Sequence, residues 1–232
     1  MGKDEVLGII ASSALPERLK LYLAASLGPR RGSRLGRLLK KDPVSLAGNL
    51  AALFRSAEEA LAVDAGEAVS AAGFNYNNAA PGRLGAALAE LRAAVFLRGE
   101  GFSGIQLLPQ AASKTADLSA CRGGKTYAFE VCCLAGGPPL AARVEPAAGK
   151  LTALLCAKYR KKIAQARTCR KKSGLTNCGL FIALDPEGFG PPPDPDTLAA
   201  LAAEVYRGSD IRPGEHLCLI SGETAAVFPA WD

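Results

Sequence analysis

Residues 115–134 read TADLSACRGGKTYAFEVCCL. Two short apolar segments flank a Gly-Gly pair, and that pattern predicts an antiparallel hairpin with its turn at Arg122–Gly124. Each arm carries one carboxylate, Asp117 on the first and Glu130 on the second. An ionised carboxylate in an apolar strand is costly unless a cation or hydrogen bonds compensate it. The pair therefore reads as a metal site or as two edge positions in solvent, with Arg122 or Lys125 as a cross-strand partner for Glu130. Strand parity sets Ala128, Glu130 and Cys132 on one face and Phe129, Val131 and Cys133 on the other.

Outward from this hairpin, the chain alternates helix and strand signals. Upstream, RLGAALAELRAAVFLRGEGF is an alanine-rich helix with a stripe of Leu84, Ala87, Leu88, Leu91 and Val95, closed by Gly99 and Gly101. Glu90 lies at the edge of that stripe, an ordinary place for a glutamate. A strand is expected around Phe102–Leu108. Downstream come a Pro/Gly loop over 136–149 and a long basic helix, LTALLCAKYRKKIAQARTCRKKSG. An apolar strand buried on both faces follows at Cys178–Leu184. A proline-rich loop, PEGFGPPPDPD, precedes a helix over 197–207, and strands over His216–Ile220 and Thr224–Phe228 close the chain. The helix, three-strand meander, crossover helix and buried strand define a mixed central sheet flanked by helices, an α/β fold over residues 81–232.

Residues 1–80 read as a helical subdomain. PERLKLYLAASLG, with Leu15, Leu19, Leu23 and Leu27 at helical spacing, stops at Gly28, and two further helices are expected over Asp42–Phe54 and Ser56–Val63. Between Glu17 and Lys41 there are eight Lys or Arg against one acid, so this subdomain has a basic surface on which Arg30, Arg31 and Arg34 are phosphate-contact candidates. A plain solvated surface remains the alternative. The formal charge of +6 and pI near 9.0 also favour a polyanionic partner.

Composition excludes several classes. The seven cysteines form no CxxC pair and there is one histidine, His216, which argues against a disulfide framework or a structural zinc site. Reduced thiols, a brief N-terminal apolar run after two acids and no stretch of membrane-span length give the expectation of a soluble, unexported, cytoplasmic protein without membrane contact. Cys132 and Cys133 read as small buried hydrophobes. GGKT at 123–126 lacks the first glycine and the following helix of a phosphate loop.

A helix with Glu90, a meander with Asp117, and Glu130 at the acid position of an acid-x-Lys tripeptide, followed by a helix bearing Lys and Gln, resemble the PD-(D/E)XK nuclease superfamily. The resemblance covers about residues 81–185. It implies a restriction-endonuclease-like α-β-β-β-α-β core, with Asp117 and Glu130 as catalytic acids that hold Mg2+ or Mn2+ together with Glu90. Such cations activate water and stabilise charge on a phosphate. Ala116 stands where the family has proline, and Cys132 where its lysine positions water. Some members move that lysine to another element, which makes Lys158 or Lys162 of the basic helix the replacement.

That helix carries eight Lys or Arg from Lys158 to Lys172 and no acid, and Lys161, Gln165, Arg167, Arg170 and Lys171 are candidate nucleic-acid contacts. The expected activity is metal-dependent hydrolysis of nucleic acid, DNA ahead of RNA. Two alternatives stand beside it: an inactive nucleic-acid-binding or assembly protein on the same fold, for which Cys132 argues, and a protein-interaction module whose basic helix meets an acidic partner. A second copy of the chain or another protein is a further candidate partner.

Overall fold

The structure is a computed structural model and describes residues 1–28, 34–77, 82–109, 116–134, 147–185 and 194–231. Among them run α1 (Lys3–Ser12), α2 (Glu17–Ser26), α3 (Arg34–Lys41), α4 (Pro43–Leu61), α5 (Ala65–Ala71), α6 (Arg83–Gly99), β1 (Ser103–Leu107), β2 (Leu118–Arg122), β3 (Lys125–Cys133), α7 (Ala147–Ser173), β4 (Asn177–Asp185), α8 (Pro195–Arg207), β5 (Glu215–Ser221) and β6 (Thr224–Phe228). Most of the 136–149 loop and of PEGFGPPPDPD, with Arg30 and Arg31, lie outside the described residues.

The six strands form one mixed sheet in the order β1-β2-β3-β4-β5-β6. β1, β2 and β3 are an antiparallel meander, β3, β4 and β5 are parallel, and β6 returns antiparallel to β5. The β2–β3 turn is the Gly123–Gly124 pair, at φ +57° and +75°, with Arg122 opposite Lys125. Two successive left-handed residues are what a two-residue hairpin needs, and glycine adopts them without steric penalty. Asp117 lies in the bend just before β2, not within the strand.

Helices cover both faces. On one face α6 packs Ala89, Ala93 and Leu97 against Tyr127, Phe129, Val131 and Phe181. On the other, α7 and α8 pack Leu155, Tyr159, Ile163, Leu198 and Val205 against Ala128, Cys132, Leu180 and Leu217. The parity expected for β3 is thus observed. Backbone and ring approach closely at Gly179, where a Cβ would stand 2.8 Å from the Phe129 ring.

The N-terminal helices share a buried cluster from Val6 to Phe74 that continues into Leu84, Ala87, Leu88 and Leu91 of α6. One side of α6 therefore closes the helical part while the other covers the sheet, and the core crosses the expected 80/81 boundary. The two helices expected over 42–54 and 56–63 are one: Arg55 and Ser56 are outward positions of a continuous α4, with Phe54 and Ala57 both buried. Asp42 caps it, its Oδ1 accepting from Ser45 N at 3.0 Å. Helices α1, α3 and α5 are additions to the elements the sequence predicts. Among the described residues no helix is long and apolar enough to cross a membrane.

Candidate active site

The contact between β3 and α7 sets the site. The helix returns antiparallel to β3 as the crossover to the parallel strand β4. A four-residue step along a helix advances about 6 Å and a two-residue step along a strand about 6.6 Å, so one keeps pace with the other. Lys162 accordingly meets Glu130, and Lys158, one turn earlier, is felt at the thiol of Cys132. Of the two candidate lysines, Lys162 reaches the acids: its Nζ donates to Glu130 Oε1 at 2.8 Å, with the Glu130 side chain 2% exposed and that of Lys162 33%. Arg122 and Lys125 stand opposite each other at the hairpin turn.

Asp117 comes to the same place through the meander. Its backbone N–H donates to Phe129 O at 2.9 Å, and its Oδ2 accepts from Val131 N at 2.7 Å. The carboxyl of Asp117 is then within hydrogen-bonding reach of that of Glu130. Two carboxylates in contact need a proton or a cation between them. Glu130 Oε2 is buried with no donor facing it.

Electrostatics follow from this crowding. Burial, then the charge of Asp117, pushes Glu130 up to about 7 against the pull of Lys162. Burial also raises Asp117, opposed by Val131 N–H and Lys162. Glu90, on α6 and 8% exposed, is pushed up to about 9 by burial and then by Asp117 and Glu130, so it holds a proton at neutral pH. For Lys162, burial favours the neutral amine, but the hydrogen bond to Glu130 and the nearby acids outweigh it and the net direction is up.

The three acids expected to share an ion therefore sense one another. Among the described residues, however, no group of three His, Cys, Asp or Glu is arranged as it stands to hold a metal ion. Charge at the site is balanced by Lys162. A hard divalent cation would find two neighbouring carboxyls here, Asp117 and Glu130, and one orphaned Glu130 oxygen, with Glu90 sensed only through its charge.

Cys132 is buried on the Glu130 face, its thiol pushed up to about 12 by burial, which leaves it an inert small hydrophobe. His216 is buried on the opposite face among Tyr127 and Trp231, its Nδ1 3.1 Å from Pro229 O, so Cys132 and His216 form no nucleophile pair.

The expected nucleic-acid contacts divide. Lys161 and Lys171 are exposed on α7, and half-buried Gln165 lines a small groove of about 220 Å³ with Lys161, Thr168 and Lys172. Arg170 is half-buried against the turn at Gly214. Arg34 belongs to α3. Arg167 is engaged within the protein. Its guanidinium is bidentate to the fully buried Glu215, at 2.6 and 2.7 Å, and also donates to Asp210 O at 2.9 Å. Tyr159 OH completes the pair, donating to Glu215 Oε2 at 3.2 Å. Burial alone would raise Glu215, but Arg167 and the Arg212 N–H hold it below its ordinary value. The Nε and Nη2 edge of this guanidinium is thus committed inside the protein. The signal was present in EHLCLI, an acid opening an apolar strand, which requires a buried cation.

A broad groove of about 660 Å³ lies elsewhere, between α4, α6 and the β5–β6 turn, where Arg92 Nη1 donates to Gly222 O at 2.7 Å. Glu223 is the one acid among the described residues that line it. The clustered titratable groups, and not this groove, mark the candidate site. In comparisons with known proteins the chain matches no family model, no curated protein and no solved structure.

Proposed function

We propose that the chain is a metal-dependent nuclease of the PD-(D/E)XK kind, with residues 83–185 as its restriction-endonuclease-like core, hydrolysing phosphodiester bonds in nucleic acid, DNA ahead of RNA. The observation that carries this reading is Lys162 Nζ at 2.8 Å from Glu130 Oε1, beside Asp117. A lysine from the crossover helix supplies the ammonium that the strand position of Cys132 cannot. The order α6-β1-β2-β3-α7-β4 supports it.

Asp117, Glu130 and Glu90 would hold Mg2+ or Mn2+, which when bound lowers the pKa of water and polarises a phosphoryl oxygen. Glu130, held beside Lys162, would present its carboxylate to the attacking water as a proton acceptor. Lys162 orients that water and offsets the charge developing on the phosphate. Asp117 is fixed by the Val131 N–H, so it turns little on binding. Lys161 and Lys171 contact backbone phosphates from the exposed side of α7.

The test is cleavage of end-labelled DNA and RNA with Mg2+ or Mn2+. Glu130→Ala and Lys162→Met are expected to lower the rate by about 100-fold or more while binding in EDTA persists. Metal-dependent cutting that survives Glu130→Ala sinks the assignment. The absence of a ready three-ligand cluster among the described residues favours a second reading, a nucleic-acid-binding scaffold without cleavage. Binding with no cutting under either metal would select it.

A further inference from the structure

On the N-terminal helices, an open groove of about 430 Å³ lies between α2 and the segment after α5. Three rings build it. Phe74, 4% exposed, stands between Tyr22 and Tyr76 with ring centroids 5.0 Å away on each side and interplanar angles of 84° and 76°. The Arg18 guanidinium lies 5.8 Å from the centroid of Tyr76. Such edge-to-face arrays are rigid, so Phe74 anchors two half-buried tyrosines whose rings line an open concavity.

Three observations separate this groove from ordinary helix packing. Leu21 also lines it and is 63% exposed, a cost in water that a ligand would remove. The Tyr76 hydroxyl is buried without a hydrogen-bond partner, and burial raises its pKa ahead of the opposing charge of Arg18. No carboxylate is among the described lining residues, and Asp64, whose charge is felt at Tyr76, is committed to the start of α5, accepting from Gly66 N at 2.7 Å. Asn75 and Asn77 add carboxamides, with Asn75 Oδ1 held by Asn77 N at 2.9 Å.

Aromatic faces, a guanidinium and amide edges, with no anion among the described lining residues, are the chemistry that receives an unstacked base together with its phosphate. We propose that this groove binds an unpaired nucleotide, which makes nucleic acid with a single-stranded segment the substrate class. The inference rests on the nucleic-acid reading above. The base stacks on the tyrosine rings, Arg18 pairs with the phosphate, and the carboxamides meet the base edge. A continuous duplex has no free base face to offer.

The test is binding in EDTA, where cleavage plays no part, of a labelled single strand of about twelve nucleotides and of the matching blunt duplex. The proteins are wild type, Tyr76→Leu, which keeps apolar bulk against Phe74, and the exposed-site variant Arg18→Gln, each checked by thermal midpoint. Both variants are expected to weaken single-strand binding about tenfold, with duplex binding unchanged. No change on the single strand, or equal loss on both probes, overturns the inference while leaving the nuclease reading in place. Should Tyr76→Leu unfold, Arg18→Gln alone decides between these outcomes. Wild type that binds neither probe overturns both readings, and selective loss in a protein that cuts nothing retains the groove and removes the nuclease.

Discussion

Lys162→Met removes the ammonium from Glu130 and leaves the carboxylate, 2% exposed, with both oxygens lacking a cationic partner. Breaking a fully buried pair costs about 3–5 kcal/mol, and because Lys162 is 33% exposed solvent takes part of that, leaving about 1–3 kcal/mol. The penalty depends on pH. Glu130 in the folded protein ionises near 7, against 4.5 for an ordinary glutamate. An acid raised in this way contributes stability that is present below the ordinary value and lost as pH rises through the folded one. At about pH 5.5 Glu130 is protonated in the wild type, and the variant gives up a hydrogen bond worth about 1 kcal/mol. At about pH 8.5 the wild type holds an ion pair, whereas the variant must either bury a bare carboxylate or retain its proton against the solution. Urea unfolding at the two pH values should show a penalty larger by about 1 kcal/mol or more at the higher one. An equal penalty at both would refute the claim that Lys162 compensates an ionised Glu130.

Glu90→Gln is expected to stabilise the protein increasingly as pH rises. Glu90 ionises near 9 in place of 4.5, so its contribution is lost toward pH 9, with a slope of up to about 1.4 kcal/mol per pH unit that glutamine lacks. Parallel curves of thermal midpoint against pH for the two proteins would refute this. Arg167→Lys should lower the thermal midpoint, because a lysine cannot reproduce the fork on buried Glu215, and leave oligonucleotide affinity unchanged; the reverse result would return Arg167 to the nucleic-acid surface. Gly179→Ala puts a methyl 2.8 Å from the Phe129 ring and should cost about 1–3 kcal/mol in urea unfolding, with no loss indicating that the ring moves freely.

The hairpin was legible because its signals are local. Two glycines fix the turn, period-two alternation fixes which face Glu130 shares with Cys132, and the Ala/Leu stripe of α6 predicts its burial. What was not legible depends on register between distant segments. Lys158 and Lys162 are equivalent on a helix drawn alone, and only the antiparallel passage of α7 over β3 sets Lys162 opposite Glu130. The commitment of Arg167 to Glu215 spans 48 residues and follows from neither segment separately. Asp117, expected on the first arm of the hairpin, lies in the bend just before β2. The break expected near Ser56 failed because two polar residues on the outward side of α4 look in sequence like a boundary. The aromatic groove was hidden for the same reason as Arg167, since Tyr22 meets Phe74 and Tyr76 only once α2 and the segment after α5 have packed.

The central claim is that Asp117 and Glu130, with Glu90 beside them, form a cation site served by Lys162. Anomalous scattering from a crystal soaked in Mn2+ tests it most directly. The account predicts one strong peak within coordination distance, about 2.0–2.6 Å, of carboxylate oxygens of Asp117 and Glu130, absent in crystals of Glu130→Ala. A crystal at the same Mn2+ concentration with no peak at these acids, and with Lys162 still seated on Glu130, would contradict it.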